Sequence, residues 1–334
     1  MKTRTIFILL VLSVSFQSCF KKDSAVPRHS RGNVKTDTIP MTQNYIYQIY
    51  FDLGSETKVS TNLKNESDLG FECSSTGWHI ILNTSDFMKV ADIGTVTLGQ
   101  PYDTSHHIWK FDKSNGNPDS NAVGQWYTIS HSDTISNNHV YIISRGLDAN
   151  GNSLGFIQAI FDSLKNSTYY FRFAPLSGGK ITSGSAVKDP AVHYLFFTFS
   201  NGGEIKKLEP PMNSYDLLFT QYSTLLFTSE GAAYPYLVTG VLLNRGLVTA
   251  AIDSVTNFSN ITMVTAAKMN FSSALDVIGY DWKVFNFTAG VYTVRTGLNY
   301  VIKDREGIYY KLRFIGFNNA SGTKGYPVFE YQGL

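Results

Sequence analysis

Residues Ile278–Leu334, IGYDWKVFNFTAGVYTVRTGLNYVIKDREGIYYKLRFIGFNNASGTKGYPVFEYQGL, decide the fold class. Three runs rich in aromatic and β-branched residues, Val291–Val294, Tyr300–Lys303 and Tyr309–Phe317, are separated by turn chemistry. Asp304-Arg305-Glu306-Gly307 reads as a tight hairpin turn, because glycine takes a positive φ without steric cost. Tyr300, Ile302, Tyr310, Leu312 and Phe314 recur at spacings of two, which places them on single faces of two paired strands. Tyr326–Tyr331 supplies one more strand, with Pro327 near its start or at a sheet edge. The stretch predicts an antiparallel β meander with an aromatic buried face.

A Trp-bearing strand, the run Asn299–Asp304, the run Gly307–Phe314 and a last strand ending at Tyr331 follow one another here. In that order they resemble the C-terminal part of the HmuY family. The resemblance implies an all-β, haem-binding lipoprotein of the Bacteroidetes outer membrane.

At the other end, Met1-Lys2-Thr3-Arg4 is a basic start followed by the mostly apolar run Ile6–Phe16. This is the pattern of a signal peptide, and it is too short for the roughly 20 apolar residues of a spanning helix. Ser18-Cys19 then reads as a lipoprotein signal, with residues 1–18 removed and Cys19 lipidated. Phe16-Gln17 departs from the small aliphatic pair usual before such a cysteine, which leaves a plain secretory signal as the alternative. Residues 19–40, basic, polar and punctuated by proline, read as a flexible tether. The only other cysteine is Cys73, so no disulfide framework is available once Cys19 carries lipid.

Aromatic residues make up 14% of the chain and charged ones 16%, a balance suited to short strands burying aromatic faces. A net charge of +2 with no basic cluster gives no support for a nucleic-acid partner.

An internal correspondence bears on domain number. Tyr45–Asp52 and the turn after it parallel Val192–Phe199 and Ser200–Ile205, while Gly77–Leu82 takes the place of Ser214–Phe219. Gly124–Tyr127 parallels Tyr280–Lys283, Val140–Ile143 parallels Asn299–Ile302, and Tyr169–Phe173 parallels Phe329–Tyr331. The expectation is two tandem, mainly antiparallel β domains of HmuY-like type, at 41–178 and 188–334, joined through the Gly/Ser-rich Ser177–Pro190. A single larger sheet system is the alternative.

Haem needs an apolar cleft and one or two axial ligands, commonly His or Met. The family resemblance implies a ligand histidine in a W-x-x-x-S-H motif, which Trp126–His131 matches, so His131 is assigned as one iron ligand. A second ligand upstream falls on His107 or its neighbour His106, with no motif to choose between them. Strand alternation puts Tyr127 and Ile129 on the face of His131 and Trp126 on the other; Tyr127 is expected beside the porphyrin on that ground, and Trp126 only as part of the motif that the resemblance implies. In the second half Phe287 stands where His131 does, and Met263 precedes Trp282 as His107 precedes Trp126. A Met-based site at Met263, with Met269 as a further candidate, or plain core packing follows.

Gly151-Asn-Ser-Leu-Gly155 spells G-x-S-x-G, but the strand-like Phe156–Phe161 after it argues against a nucleophile elbow. His79 shows no partner in the sequence, and His193 opens an aromatic strand. No acid–base constellation emerges, so no enzyme is expected. The expected function is a lipid-anchored outer-membrane protein that binds haem and scavenges it for an outer-membrane receptor. The alternative is a haem-independent β module recognising a glycan or protein.

Overall fold

The computed structural model describes residues 32–130, 133–286 and 288–334, and they are nearly all β. The C-terminal meander forms as its pattern requires. Strands β20 (Asn299–Lys303), β21 (Tyr309–Asn318) and β22 (Lys324–Gly333) pair antiparallel, with Tyr300 opposite Leu312 and Ile302 opposite Tyr310. The Asp304 carboxylate closes the turn by accepting from the Glu306 and Ile308 amides, while Gly307 takes φ 84°. All five residues of the alternating set are buried. Each side chain of that size contributes about 1.5–3 kcal/mol on full burial.

On its far side β22 pairs with β1 (Lys35–Thr38), and β20 pairs with β17 (Thr249–Asp253), giving the order β1-β22-β21-β20-β17. Pro327 is tolerated because ladder pairing with β1 begins only at Val328, and the Pro327 carbonyl accepts from the Ile39 amide instead. A second sheet runs β12 (Thr182–Val187), β11 (Thr168–Pro175), β10 (Phe156–Lys165), β8 (Asp133–Ser136), β7 (Tyr127–Ser130). Strand β9 (Tyr141–Ser144) also pairs with β10, and β6 (Lys89–Asp92) pairs with β9. The segment read as a linker therefore contains a strand. Its glycine-rich composition misled because Gly184 lies opposite Phe171, where a Cβ would collide with the ring.

Two four-stranded sheets mix the halves of the chain. One runs β14 (Glu204–Lys206), β13 (Tyr194–Thr198), β4 (Leu69–Glu72), β5 (Ile80–Leu82). The other runs β16 (Ala233–Leu243), β15 (Leu217–Phe227), β2 (Tyr47–Asp52), β3 (Thr57–Leu63). A hairpin of β18 (Lys283–Asn286) and β19 (Val291–Val294) forms a separate two-stranded sheet, with Tyr292 packed on Phe317 of the second core at 5.2 Å.

Two large hydrophobic cores result, but their membership corrects the expected boundaries. One core joins residues from Leu69 to Ala186 with Leu195, Phe197 and Phe199. The other joins residues from Leu217 to Tyr331 with Ile39, Met41, Ile49, Phe51 and Leu53. Neither 41–178 nor 188–334 closes on itself, since β2 is bound to β15 and β13 to β4. Among the described residues no helix is long and apolar enough to cross a membrane.

Candidate functional site

Each core is plugged by a tryptophan at the root of a hairpin. Trp126, 1% exposed, precedes β7 and donates from Nε1 to the Trp78 carbonyl at 3.0 Å. Trp282 precedes β18 and stacks on Phe314 with ring centroids 4.0 Å apart.

Beyond Trp126 the β7–β8 hairpin runs along the sheet, with Thr134 and Ile135 of β8 paired with Leu164 and Ser163 of β10. Tyr127 is buried, edge-on to Trp78 at 4.8 Å, and burial with the nearby Glu72 carboxylate raises its phenol. Trp126 and Tyr127 are thus both core residues although strand alternation sends them to opposite faces, because the body encloses the hairpin's root on both sides. Further out, Ile129 is 70% exposed and Ile135 is also exposed. Pairing in this hairpin runs from Tyr127–Ser136 to Ser130–Asp133. His131 lies outside the described residues, as do Phe287 and Cys19.

His106 and His107 sit on an irregular loop, not on a strand. His106 is exposed at φ 60°, and His107 Nε2 lies 3.2 Å from the Asp103 carbonyl. Met263 opens a short helical turn, α1 (Met263–Ala266), and is exposed. Met269 packs against the small cluster of Ile261, Ala266 and Val301, while Trp282 belongs to the large core. The structure thus gives Met263 and Trp282 separate surroundings.

Two histidines have carboxylate partners that sequence reading missed. His79 Nδ1 lies 2.5 Å from Glu72 Oε2, its ring is stacked on Trp78, and its Nε2 is buried without a hydrogen bond, 4.0 Å from Asp119 Oδ1. Burial alone would raise the Glu72 carboxyl, but hydrogen bonds from Ser74 and His79 hold it below the ordinary range. The signal was available: Phe71 pairs with Ile80, so hairpin register sets Glu72 beside His79. His139, which follows β8, places Nδ1 2.9 Å from Asp92 Oδ2. A carboxylate on Nδ1 fixes the ring and presents Nε2 as a ligand. Among the described residues no three His, Cys, Asp or Glu side chains converge as a metal site. Gly151–Gly155 leads into β10, so that stretch is a hairpin and not a strand-to-helix elbow.

The family model described as HmuY protein matches residues 44–331. Among solved structures the chain is similar to apo PinO from Porphyromonas gingivitis, at 12% identity over 91% of this chain and 98% of that one, TM-score 0.30. It is similar also to an apo HmuY analog of Tannerella forsythia, at 12% identity over 91% and 98%, TM-score 0.25. A Bacteroides vulgatus protein described as HmuY-like and heme binding shares 16% identity over 52% and 90%, TM-score 0.18. No curated protein sequence matches this chain.

Proposed function

The chain belongs to the HmuY family, and from that premise we propose that it binds haem non-covalently and passes it into uptake through an outer-membrane receptor. The family match over residues 44–331 carries this reading. Exposure of Ile129 on the β7–β8 hairpin, in whose link His131 falls by sequence, supports the reading as apolar cover for a porphyrin face; Ile135, paired with Thr128, lies on the opposite face.

Bound haem supplies an iron centre with two axial positions. His131 is proposed for one. His106, His107 and His139 compete for the other, and His139 alone among them is oriented by a carboxylate. Membrane attachment through Cys19, with 20–40 as tether, belongs to the same proposal; unchanged membrane association of Cys19→Ser on cell fractionation would remove it.

A hemin titration followed at the Soret band tests the reading. Wild type should saturate, His131→Ala should bind weakly or lose the low-spin spectrum, and one of His106→Ala, His107→Ala and His139→Ala should share that loss. A second reading, recognition of a protein or glycan without haem, is favoured by exposed Phe227, Tyr234 and Tyr236 at the far end of β15–β16. No saturable Soret change would leave that reading standing.

The parallel strand orders also support descent of the two halves from one duplicated unit. In that account β1–β3 correspond to β12–β14, and each set has been exchanged into the other's core. Matched comparison of the two cores by superposition tests it.

A further inference from the structure

A cavity away from the β7–β8 hairpin holds 690 Å³ between β15, β17, β20 and the loop carrying Ile278–Asp281. That volume lies within the roughly 300–1,000 Å³ usual for small-molecule sites. Its wall contains Tyr222, 1% exposed, whose hydroxyl has no hydrogen-bond partner. Buried polar groups are nearly always satisfied, so an orphaned phenol facing a cavity calls for a partner that enters the cavity. Gly279, at φ 60°, lies beside that hydroxyl, and a Cβ there would meet the Asp276 carbonyl at 2.8 Å.

We propose that this cavity is a binding site for a neutral saccharide. The lining gives three kinds of hydrogen-bonding group. Asp276 and Asp281 only accept, Arg295 only donates, and Tyr222, Tyr280 and Tyr300 do both. Sugar hydroxyls, which donate and accept at one atom, can satisfy all three kinds, and tyrosine rings offer apolar faces to a sugar's C–H surface. Two carboxylates against one guanidinium disfavour an anion. Asp276 already accepts from Ser114 at 2.6 Å through Oδ2, and the Arg295 charge lies close enough to act on the Tyr280 and Tyr300 phenols. The lining contains no His, Met or Cys, which separates this site from imidazole or thioether ligation of haem.

Saturation-transfer difference NMR on the full mature chain tests the proposal, with methyl galactoside, methyl mannoside and N-acetylglucosamine as neutral probes. N-acetylneuraminic acid and glucosamine serve as charged ones. At least one neutral sugar should give a saturable signal, weakened roughly tenfold in Tyr222→Phe and in Asp281→Ala. Tyr222→Phe should unfold at the wild-type denaturant midpoint, because the hydroxyl it removes has no partner in the free protein. Absence of a saturable neutral signal, preference for a charged probe, or wild-type binding in both variants would each overturn the site.

Discussion

Arg305 donates from Nη1 to Asp52 Oδ1 at 2.9 Å, joining residues 253 positions apart. The same nitrogen reaches Asp216 Oδ1 at 3.0 Å, and Asp216 Oδ2 accepts from the Leu53 amide at 2.9 Å. One guanidinium on the β20–β21 turn therefore fastens the end of β2 to the start of β15, holding the exchanged N-terminal strands in the second core. Burial alone would raise the Asp52 carboxyl, but hydrogen bonds from Arg305, Ser55 and the Gly54 amide hold it at about 2. Burial pushes Asp216 up to about 7 against the pull of the Leu53 amide and Arg305.

Arg305→Met should destabilise the fold by about 3–5 kcal/mol, since it strands two buried carboxylates. Urea denaturation at pH 7 measures this, and a loss below about 1 kcal/mol would reduce the network to a surface pair. The Asp52 contribution has a definite sign. Its folded pKa is depressed, so the stabilisation is present above the unfolded value near ~4 and is lost as pH falls towards about 2.

His193 ties β13 to the loop after β16. Asn244 Nδ2 donates to the Met212 and Tyr215 carbonyls, so its Oδ1 must accept, and His193 Nε2–H donates to it at 2.7 Å. Burial, with the Arg245 charge nearby, lowers the imidazole pKa despite that hydrogen bond. The contribution is therefore full above the unfolded value near ~6.5 and declines as pH falls below it. Unfolding midpoints of wild type should drop between pH 7.5 and pH 5 by more than those of His193→Gln. Equal drops would show that His193 does not couple to folding.

Fragments 41–178 and 188–334, produced separately, should lack cooperative unfolding and should recover it when mixed. The first alone carries Ile49 and Phe51 without β15, and the second carries Phe197 and Phe199 without β4. Circular dichroism melts and gel filtration read this. A monomeric, cooperatively folding 41–178 would mean that β2–β3 can occupy the place held by β13–β14.

Trp126→Ala should cost about 3–5 kcal/mol, as for other large buried aromatics. Ile129→Ser and Ile135→Ser should change stability by no more than about 0.5 kcal/mol, because both side chains face solvent. If the hairpin covers haem on the face that carries Ile129, Ile129→Ser should instead weaken hemin binding several-fold, and Ile135→Ser, on the opposite face, should not. Unaltered hemin affinity in Ile129→Ser would move the porphyrin elsewhere.

Much of this protein was legible from the chain. The period-two pattern from Tyr300 to Phe314, the Asp304–Gly307 turn and the matching tryptophans are local features, and local sterics and burial decide them. Hairpin register would also have supplied the Glu72–His79 contact. Partner choice was not legible. An antiparallel edge offers the same amides and carbonyls to any strand, so pattern alone cannot say whether β2 joins β4 or β15. Side-chain packing across the chain decides it: Phe51 meets Phe329 at 5.4 Å and Phe219 at 6.4 Å, edge to face, and Arg305 locks the Asp52 end. Local pattern accounts for most strands and turns, though β12 lies in a stretch whose composition reads as linker and the choice between one core and two stays open. Which strands fill which core is set by packing in three dimensions, because that choice rests on contacts between residues more than a hundred positions apart.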